Sequence, residues 1–358
     1  MLSISCKSFI ALATLASVSM SASAVTSVNL ADYQLVGRYT LPEPTRVAAP
    51  PNSVLAQEVS AVTWNRDTDT LFMVGDGGRS IVQVGLTGNL IDSMTLGLVA
   101  SNPQGTAFYD PEGLAYVGNG QFVMMEERLR VANLFTYVAG STLNYTGAQH
   151  VKLGTTIGNN GIEGISYDPL TSGATPGFIA VKEETPMGVF QTNINFAAGT
   201  ATNGSASTVN STNLFDPTLT GLADIADVFS LSNLNGLGAA DMGNLLLLSQ
   251  ASGKVIEVDR SGNTLGSLNI PFLPTNPIGT TVLTGPGGPL SVANQQHEGL
   301  TMDDRGFLYL VSENGGGDIN NPQLWVMAPV PEPETYAMMM IGLGVVGFAA
   351  CRKAKRYA

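Results

Sequence analysis
Cysteine is nearly absent from this 358-residue chain: Cys6 and Cys351 stand in the two end segments, and none lies between them. A disulfide framework or a cysteine metal site is thereby excluded from the body, whose stability must come from a packed core. Charge is sparse too, at 12% of residues, and basic charge is scarcest. With Lys7, Glu332, Glu334, Arg352, Lys353, Lys355 and Arg356 set aside with the ends, residues 25–330 keep 26 acidic and 11 basic side chains, a net of −15. Such a surface repels nucleic-acid phosphate, so no nucleic-acid partner is expected. It suits cations or cationic ligands, and excess acid also keeps an exported protein soluble. Long amphipathic helical periods are missing from the middle of the chain. So is a Gly-x-Ser-x-Gly nucleophile elbow, and the glycines of Asp76-Gly77-Gly78-Arg79 are followed by neither Lys nor a helix. In their place are 41 glycines and 19 prolines, the composition of many short strands joined by tight turns.

The two ends read as addresses. Residues 1–24 carry Lys7, an apolar run over residues 9–18 and Ala22-Ser23-Ala24, the pattern of a secretory signal peptide cleaved before Val25. At the other end, Val330-Pro331-Glu332-Pro333-Glu334 precedes an apolar run over residues 336–350, closed by Arg352-Lys353-Ala354-Lys355-Arg356. The run is short for a membrane span of ~20 residues, although ~17 can suffice, and the basic end would stay on the cytoplasmic side. Motif, apolar helix and basic tail in this order resemble the PEP-CTERM sorting signal of Gram-negative bacteria. The resemblance implies recognition by a membrane sorting protease, an exosortase, and a transmembrane helix that anchors the chain to the inner membrane only until it is processed. The expected division is therefore a signal peptide (1–24), a body (25–329) and a sorting signal (330–358). The product would reside in the periplasm, at the cell surface or in an extracellular matrix.

One sentence is written repeatedly through the body. His297-Glu298-Gly299-Leu300 opens an apolar strand, turns at Asp303-Asp304-Arg305-Gly306, and returns through a second strand to Ser312-Glu313-Asn314. Related strand pairs begin at Glu58, at Glu112-Gly113, at Glu163-Gly164 and, in degenerate form, at Asp224. Starts roughly 50 residues apart, with four strands in each interval, indicate the blades of a β-propeller. The longer intervals are filled by Ala/Thr/Asn/Ser-rich and Pro/Gly-rich loops at residues 197–213 and 271–288. The fold class is all-β. Five blades are predicted, or six if residues 271–288 hide strands. The last blade has only three local strands, and an N-terminal strand at residues 33–41 is expected to supply its fourth, which closes the ring from both ends of the chain.

The Glu-Gly-Leu entries, the Asp-rich first hairpin and the final His297-Glu298-Gly299-Leu300 with Ser312-Glu313-Asn314 resemble the SdiA-regulated family of exported propellers. That family is similar in fold to phytase-like and esterase-like propellers. The resemblance implies a periplasmic or extracellular propeller that binds a divalent metal, with Ca2+ favoured.

The innermost strand of each blade lines the central channel, so equivalent positions form rings. Glu58, Glu112, Glu163, Asp224 and Glu298 are expected as one carboxylate ring, with Asp76, Glu126, Glu183 and Glu313 as a second group one strand out. Crowded carboxylates repel and raise one another's pKa unless a cation neutralises them, and Ca2+ tolerates irregular coordination by 6 to 8 oxygens. The candidate metal ligands are thus Glu112, Glu163, Glu298, Glu313, Glu58 and Asp224. A glutamate at a strand start can instead bond backbone N–H groups of the next blade as mortar. His297 beside Glu298 is a candidate general base at the channel mouth, or a hydrogen-bonded strand-edge histidine; His150 reads as structural. Asn65-Arg66-Asp67-Thr68-Asp69 reads as a hairpin turn rather than a calcium loop, and the Gly-rich residues 313–321 read as a second possible ion loop or a surface loop. The function expected is a calcium-binding scaffold or binding module of the cell surface or matrix, its ligand an extracellular polymer or small molecule. The alternative is a metal-dependent phosphoester or ester hydrolase, with His297 and Glu298 as its catalytic pair. A phytase-like phosphate site needs several Lys or Arg residues, and the 11 of the body are thinly spread.

Overall fold
Alternating apolar residues in runs of five to eight, punctuated by Gly, Asn and Asp, form strands throughout the body because each run can bury one or both of its faces. In the computed structural model, the residues described are 24–41, 55–154, 161–184, 186–204, 210–271, 296–313 and 322–330. The signal peptide through Ser23, the sorting tail from Pro331, residues 314–321 and almost all of residues 271–288 lie outside them. Among the described residues helix is confined to short 3-10 turns, and no helix is long and apolar enough to cross a membrane. Residues Ala24–Ala328 form one compact unit.

The chain begins with β1 (Tyr33–Thr40) and then builds one antiparallel sheet after another. The first blade comprises β2 (Val59–Asn65), β3 (Thr70–Gly75), β4 (Ser80–Val84) and β5 (Leu90–Leu96). The second comprises β6 (Pro111–Gly118), β7 (Gln121–Glu126), β8 (Val131–Thr136) and, after the short β9 (Thr142–Leu143), β10 (Gln149–Lys152). β9 leaves its own blade and pairs in parallel with β5, giving the first blade a fifth strand. The third comprises β11 (Gly164–Tyr167), β12 (Gly177–Lys182), β13 (Gly188–Asn195) and β14 (Thr200–Ala201). The fourth comprises β15 (Asp227–Ser230), β16 (Leu245–Ser249), β17 (Lys254–Val258) and β18 (Thr264–Asn269). The last comprises β19 (His297–Met302), β20 (Leu308–Ser312) and β21 (Gln323–Pro329), with β1 paired on β21 as its fourth strand. The five blades and their closure by the N-terminal strand agree with the pattern of the repeats. Closure from both ends leaves the ring without an open seam, as a chain with no disulfide in its body requires.

The innermost strands β2, β6, β11, β15 and β19 follow one another round the axis, each packed on the next. Between blades lie five apolar clusters, for example Val59, Val62, Leu71 and Met73 of the first blade against Tyr309, Val311, Leu324 and Val326 of the last. The glycine that follows each Glu of the repeat has a specific use here. A Cβ on Gly113 would lie 3.0 Å from Glu163 O and Ile165 N, and one on Gly299 would lie 2.9 Å from Ser60 O and Val62 N. Glycine is therefore what lets adjacent inner strands approach backbone to backbone.

Candidate functional site
At the entry of the inner strands the ladder register slips. One residue is bulged out between Val59 and Ala61, between Pro111 and Gly113, and between His297 and Gly299. The bulged residues are Ser60, Glu112 and Glu298, and a bulge re-aims a side chain away from the sheet faces. Glu163 and Ala226 occupy the same place at the start of β11 and β15. Together with Glu183 and Gln250 these five residues line a small cavity at the channel mouth. Two residues upstream, Glu58, Asp110 and Gln296 all adopt a left-handed backbone, with φ of 46°, 60° and 48°. Positive φ is uncommon in residues other than glycine, and strain of this kind collects at functional sites.

The structure brings Glu112, Glu163 and Glu298 together as expected and corrects the other two ring members by two residues. Ser60, not Glu58, faces the cavity from the first blade, and Ala226, not Asp224, faces it from the fourth. Asp224 is buried and committed elsewhere, accepting hydrogen bonds from Ser249 Oγ and from Ala251 N at 2.8 Å. Glu58 stays within the electrostatic reach of Asp76 and Glu313 but outside the ring. In the second group Glu126 is replaced by its neighbour. Glu126 is wholly buried in its blade, where it accepts from Tyr109 N at 2.6 Å and Asn133 Nδ2 at 3.1 Å, whereas Glu127 joins the acidic cluster through Asp110 and Glu163.

Carboxylates here gather beside carboxylates. Glu298 and Glu313, Glu163 and Glu127, and Glu127 and Asp110 act on one another electrostatically. Oxygens of Asp76, Asp110 and Glu112 lie within 4.8 Å of one another. Carboxylates gathered this closely and buried favour protonation or a bound cation. Burial, and then the neighbouring acids, push Glu112, Glu163 and Glu298 well above the usual carboxylate range. The same causes push Glu313 up to about 8 and Asp76 up to about 7. Two basic side chains come near. Arg128 pairs with Asp110 and, at 3.0 Å, with Glu127, and Lys182 spends its Nζ on the carbonyls of Glu184 and Pro186 at 2.9 and 3.1 Å. Among the described residues no basic side chain lines the cavity itself.

His297 does not face the channel. It is fully buried, packed edge-on against Trp325 at 4.8 Å, and burial holds it neutral, with its pKa lowered to about 3. The general-base role at the mouth is not open to a side chain in that position. His150 on β10 is structural as expected, bonded to Asn133 Oδ1 at 2.6 Å and stacked on Tyr145. The hairpin turn after β2 places Asp67 and Asp69 on bonds within the protein: Asp69 pairs with Arg305 at 2.8 Å and accepts from Trp64 Nε1 at 3.1 Å. The exit ends of the inner strands carry a second set of acids. Asp168 accepts both Nη atoms of Arg260, at 2.9 and 2.8 Å, together with the hydroxyls of Thr171, Ser230 and Ser232. Burial pushes Asp168 up, but the guanidinium and hydroxyls outweigh it and hold the carboxyl below its ordinary value. Asp303 accepts Arg305 Nε at 2.8 Å and Tyr309 Oη at 3.0 Å.

A family model described as SdiA-regulated matches residues 44–315, and a model of the PEP-CTERM protein-sorting motif matches residues 329–353. The first covers most of the chain, which therefore belongs to the SdiA-regulated family. The second implies export and processing of the C-terminus by an exosortase. Solved structures that align with this chain include a glutaminyl cyclase from Myxococcus xanthus, at 11% identity and a TM-score of 0.41 over 84% of this chain and 97% of that one. Another is a gluconolactonase from Xanthomonas campestris, at 13% identity and a TM-score of 0.38 over 82% and 97%. Likeness at this level carries no argument about activity.

Proposed function
We propose that this exported member of the SdiA-regulated family binds a hard divalent cation, Ca2+, at the channel mouth and serves as a binding or scaffold module of the cell surface or extracellular matrix. The observation that carries the reading is the gathering of carboxylates, with oxygens of Asp76, Asp110 and Glu112 within 4.8 Å of one another, beside a cavity that has no basic lining residue among the described residues. The donor set fits the ion. Every charged ligand is a carboxylate, the spacing is irregular, and neither histidine nor cysteine contributes, which disfavours zinc and copper. Glu112, Glu163 and Glu298 would hold the cation from the ring, with Glu313 and Glu183 beside them. Asp76 and Asp110 reach it from the side of the first two blades, and Glu58 acts through the local field.

The ring is unequal. Ala226 and Gln250 make the fourth blade's sector neutral, so the ion sits off-centre and an external ligand approaches from that sector. A bound cation would supply charge neutralisation and so keep the carboxylates deprotonated, and the residues of the mouth would orient it. The hydrolase alternative loses its proposed base with the burial of His297 and gains no specific observation. Denaturation midpoints of the purified protein in excess Ca2+ and in chelator test the reading. A higher midpoint with Ca2+, lost in Glu298→Gln, is expected; equal midpoints would overturn it.

A further inference from the structure
The closing blade contains a second polar site, unrelated to the acidic mouth. On the face of that blade turned toward Leu246, Leu248 and Val255 of the fourth blade, His297, Gln323 and Trp325 are each 0% exposed. Both ring nitrogens of His297, both amide atoms of Gln323 and Nε1 of Trp325 have no hydrogen-bond partner among the described residues. Buried polar groups are nearly always satisfied, and a cluster of orphans in one place marks an unseen water, ion or ligand. The register explains how they converge. His297 and Gln323 both pair with Ser312, one from each side, so two long polar side chains flank a short one in a single row across β19, β20 and β21. Trp325 stands edge-on to His297 at 4.8 Å, and the Arg38 guanidinium of β1, itself 2% exposed, lies 5.2 Å from the Trp325 ring.

The chemistry of this nest is that of an anion site. The indole N–H, the amide NH2 and one imidazole N–H are donors, and they outnumber the acceptors, the amide oxygen and the other imidazole nitrogen. No carboxylate takes part, and Arg38 adds positive charge. The donors are few and belong to side chains that are each 0% exposed, which suits a monatomic ion better than a tetrahedral oxyanion. We propose that this nest binds a single halide-type anion, which fastens the N-terminal strand β1 to the blade that closes the ring. The four strands involved, β1, β19, β20 and β21, come from both ends of the chain, so the ion would act at the seam of the propeller.

Thermal midpoints of the full chain in sodium chloride and in sodium gluconate, at equal ionic strength and with chelator present, test this without reference to the mouth. Chloride at about a hundred times its Kd should raise the midpoint by on the order of 5 °C. Trp325→Phe, which keeps the ring and removes the donor, should lose most of that difference. Gln323→Met makes the same test if the first variant fails to fold. Crystals soaked in bromide should show an anomalous peak within hydrogen-bond distance of Trp325 Nε1. Equal midpoints in the two salts, an undiminished difference in the folded variant, or no bromide peak in the closing blade would overturn the proposal and leave the nest to water.

Discussion

The entry ends and the exit ends of the same five inner strands both carry buried acids, and the protein treats them in opposite ways. At the exit ends, Asp168 and Asp303 are each held by an arginine and by hydroxyl or amide donors within the protein. At the entry ends, Glu112, Glu163 and Glu298 line a cavity, and the charges that act on them most are further acids. Burial acts on both sets, so burial alone does not separate them. The difference lies in what supplies the positive charge. The exit ends carry it in the sequence, as Arg260, which joins Asp168 to the next blade, and as Arg305 within the hairpin of Asp303. At the entry ends only Arg128 comes near, on Asp110 and Glu127, and carboxylates left without a counter-charge in a cavity are placed to receive one from solution.

The largest expected effect breaks the satisfied set. Asp168→Ala leaves the Arg260 guanidinium without its buried partner and should cost about 3–5 kcal/mol in urea denaturation, with cation affinity at the mouth unchanged. Next comes a pH dependence confined to the entry ends. Glu313 and Asp76 have folded values raised to about 8 and about 7, so the folded state keeps protons that the unfolded chain has already released. Their stabilising contribution is complete below the ordinary carboxylate range and is lost as pH rises through those raised values. In chelator, urea midpoints should therefore fall between about pH 5 and about pH 8.5, with a slope on the order of 1 kcal/mol per pH unit at its steepest. Saturating Ca2+ should flatten that slope. A cation-free protein whose stability is level across this range would contradict the account of the mouth.

Two smaller effects sharpen the boundary between the sets. Asp224→Ala removes the acceptor for Ser249 and Ala251 and should cost about 1–2 kcal/mol, with calcium affinity intact, because that carboxylate serves its own loop. Glu163→Gln should do the reverse. In chelator it relieves repulsion and raises stability by about 1 kcal/mol, while calorimetry should show calcium binding weakened at least tenfold.

The sequence carried the fold clearly because a repeat of this length constrains itself. The Glu-Gly entries at Glu112, Glu163 and Glu298 fall where the backbones of adjacent blades approach, and the unpaired strand at residues 33–40 was the piece needed to close the ring. The site was legible only where acid and glycine coincided. In the first and fourth blades the repeat pattern points to the acids Glu58 and Asp224, whereas structural equivalence follows the start of the inner strand, which places Ser60 and Ala226 in the ring. The small residue Ala61 after Ser60 was the available signal, since it answers to Gly113 and Gly299. Asp227 after Ala226 gave no such signal. Its carboxylate bonds Leu300 N at 2.8 Å in the next blade, which is the mortar role, and only three-dimensional register reveals it. The displacement of Glu126 by Glu127 and the burial of His297 have the same cause: strand alternation decides which of two adjacent side chains enters the channel, and a bulge resets that phase.

The most direct measurement is calorimetric titration of Ca2+ into chelator-treated protein near neutral pH, repeated with Glu298→Gln and with Asp168→Asn. The account predicts saturable binding with proton release in the wild type, its loss in Glu298→Gln, and its retention in Asp168→Asn. No binding to the wild type, or equal binding to Glu298→Gln, would contradict it.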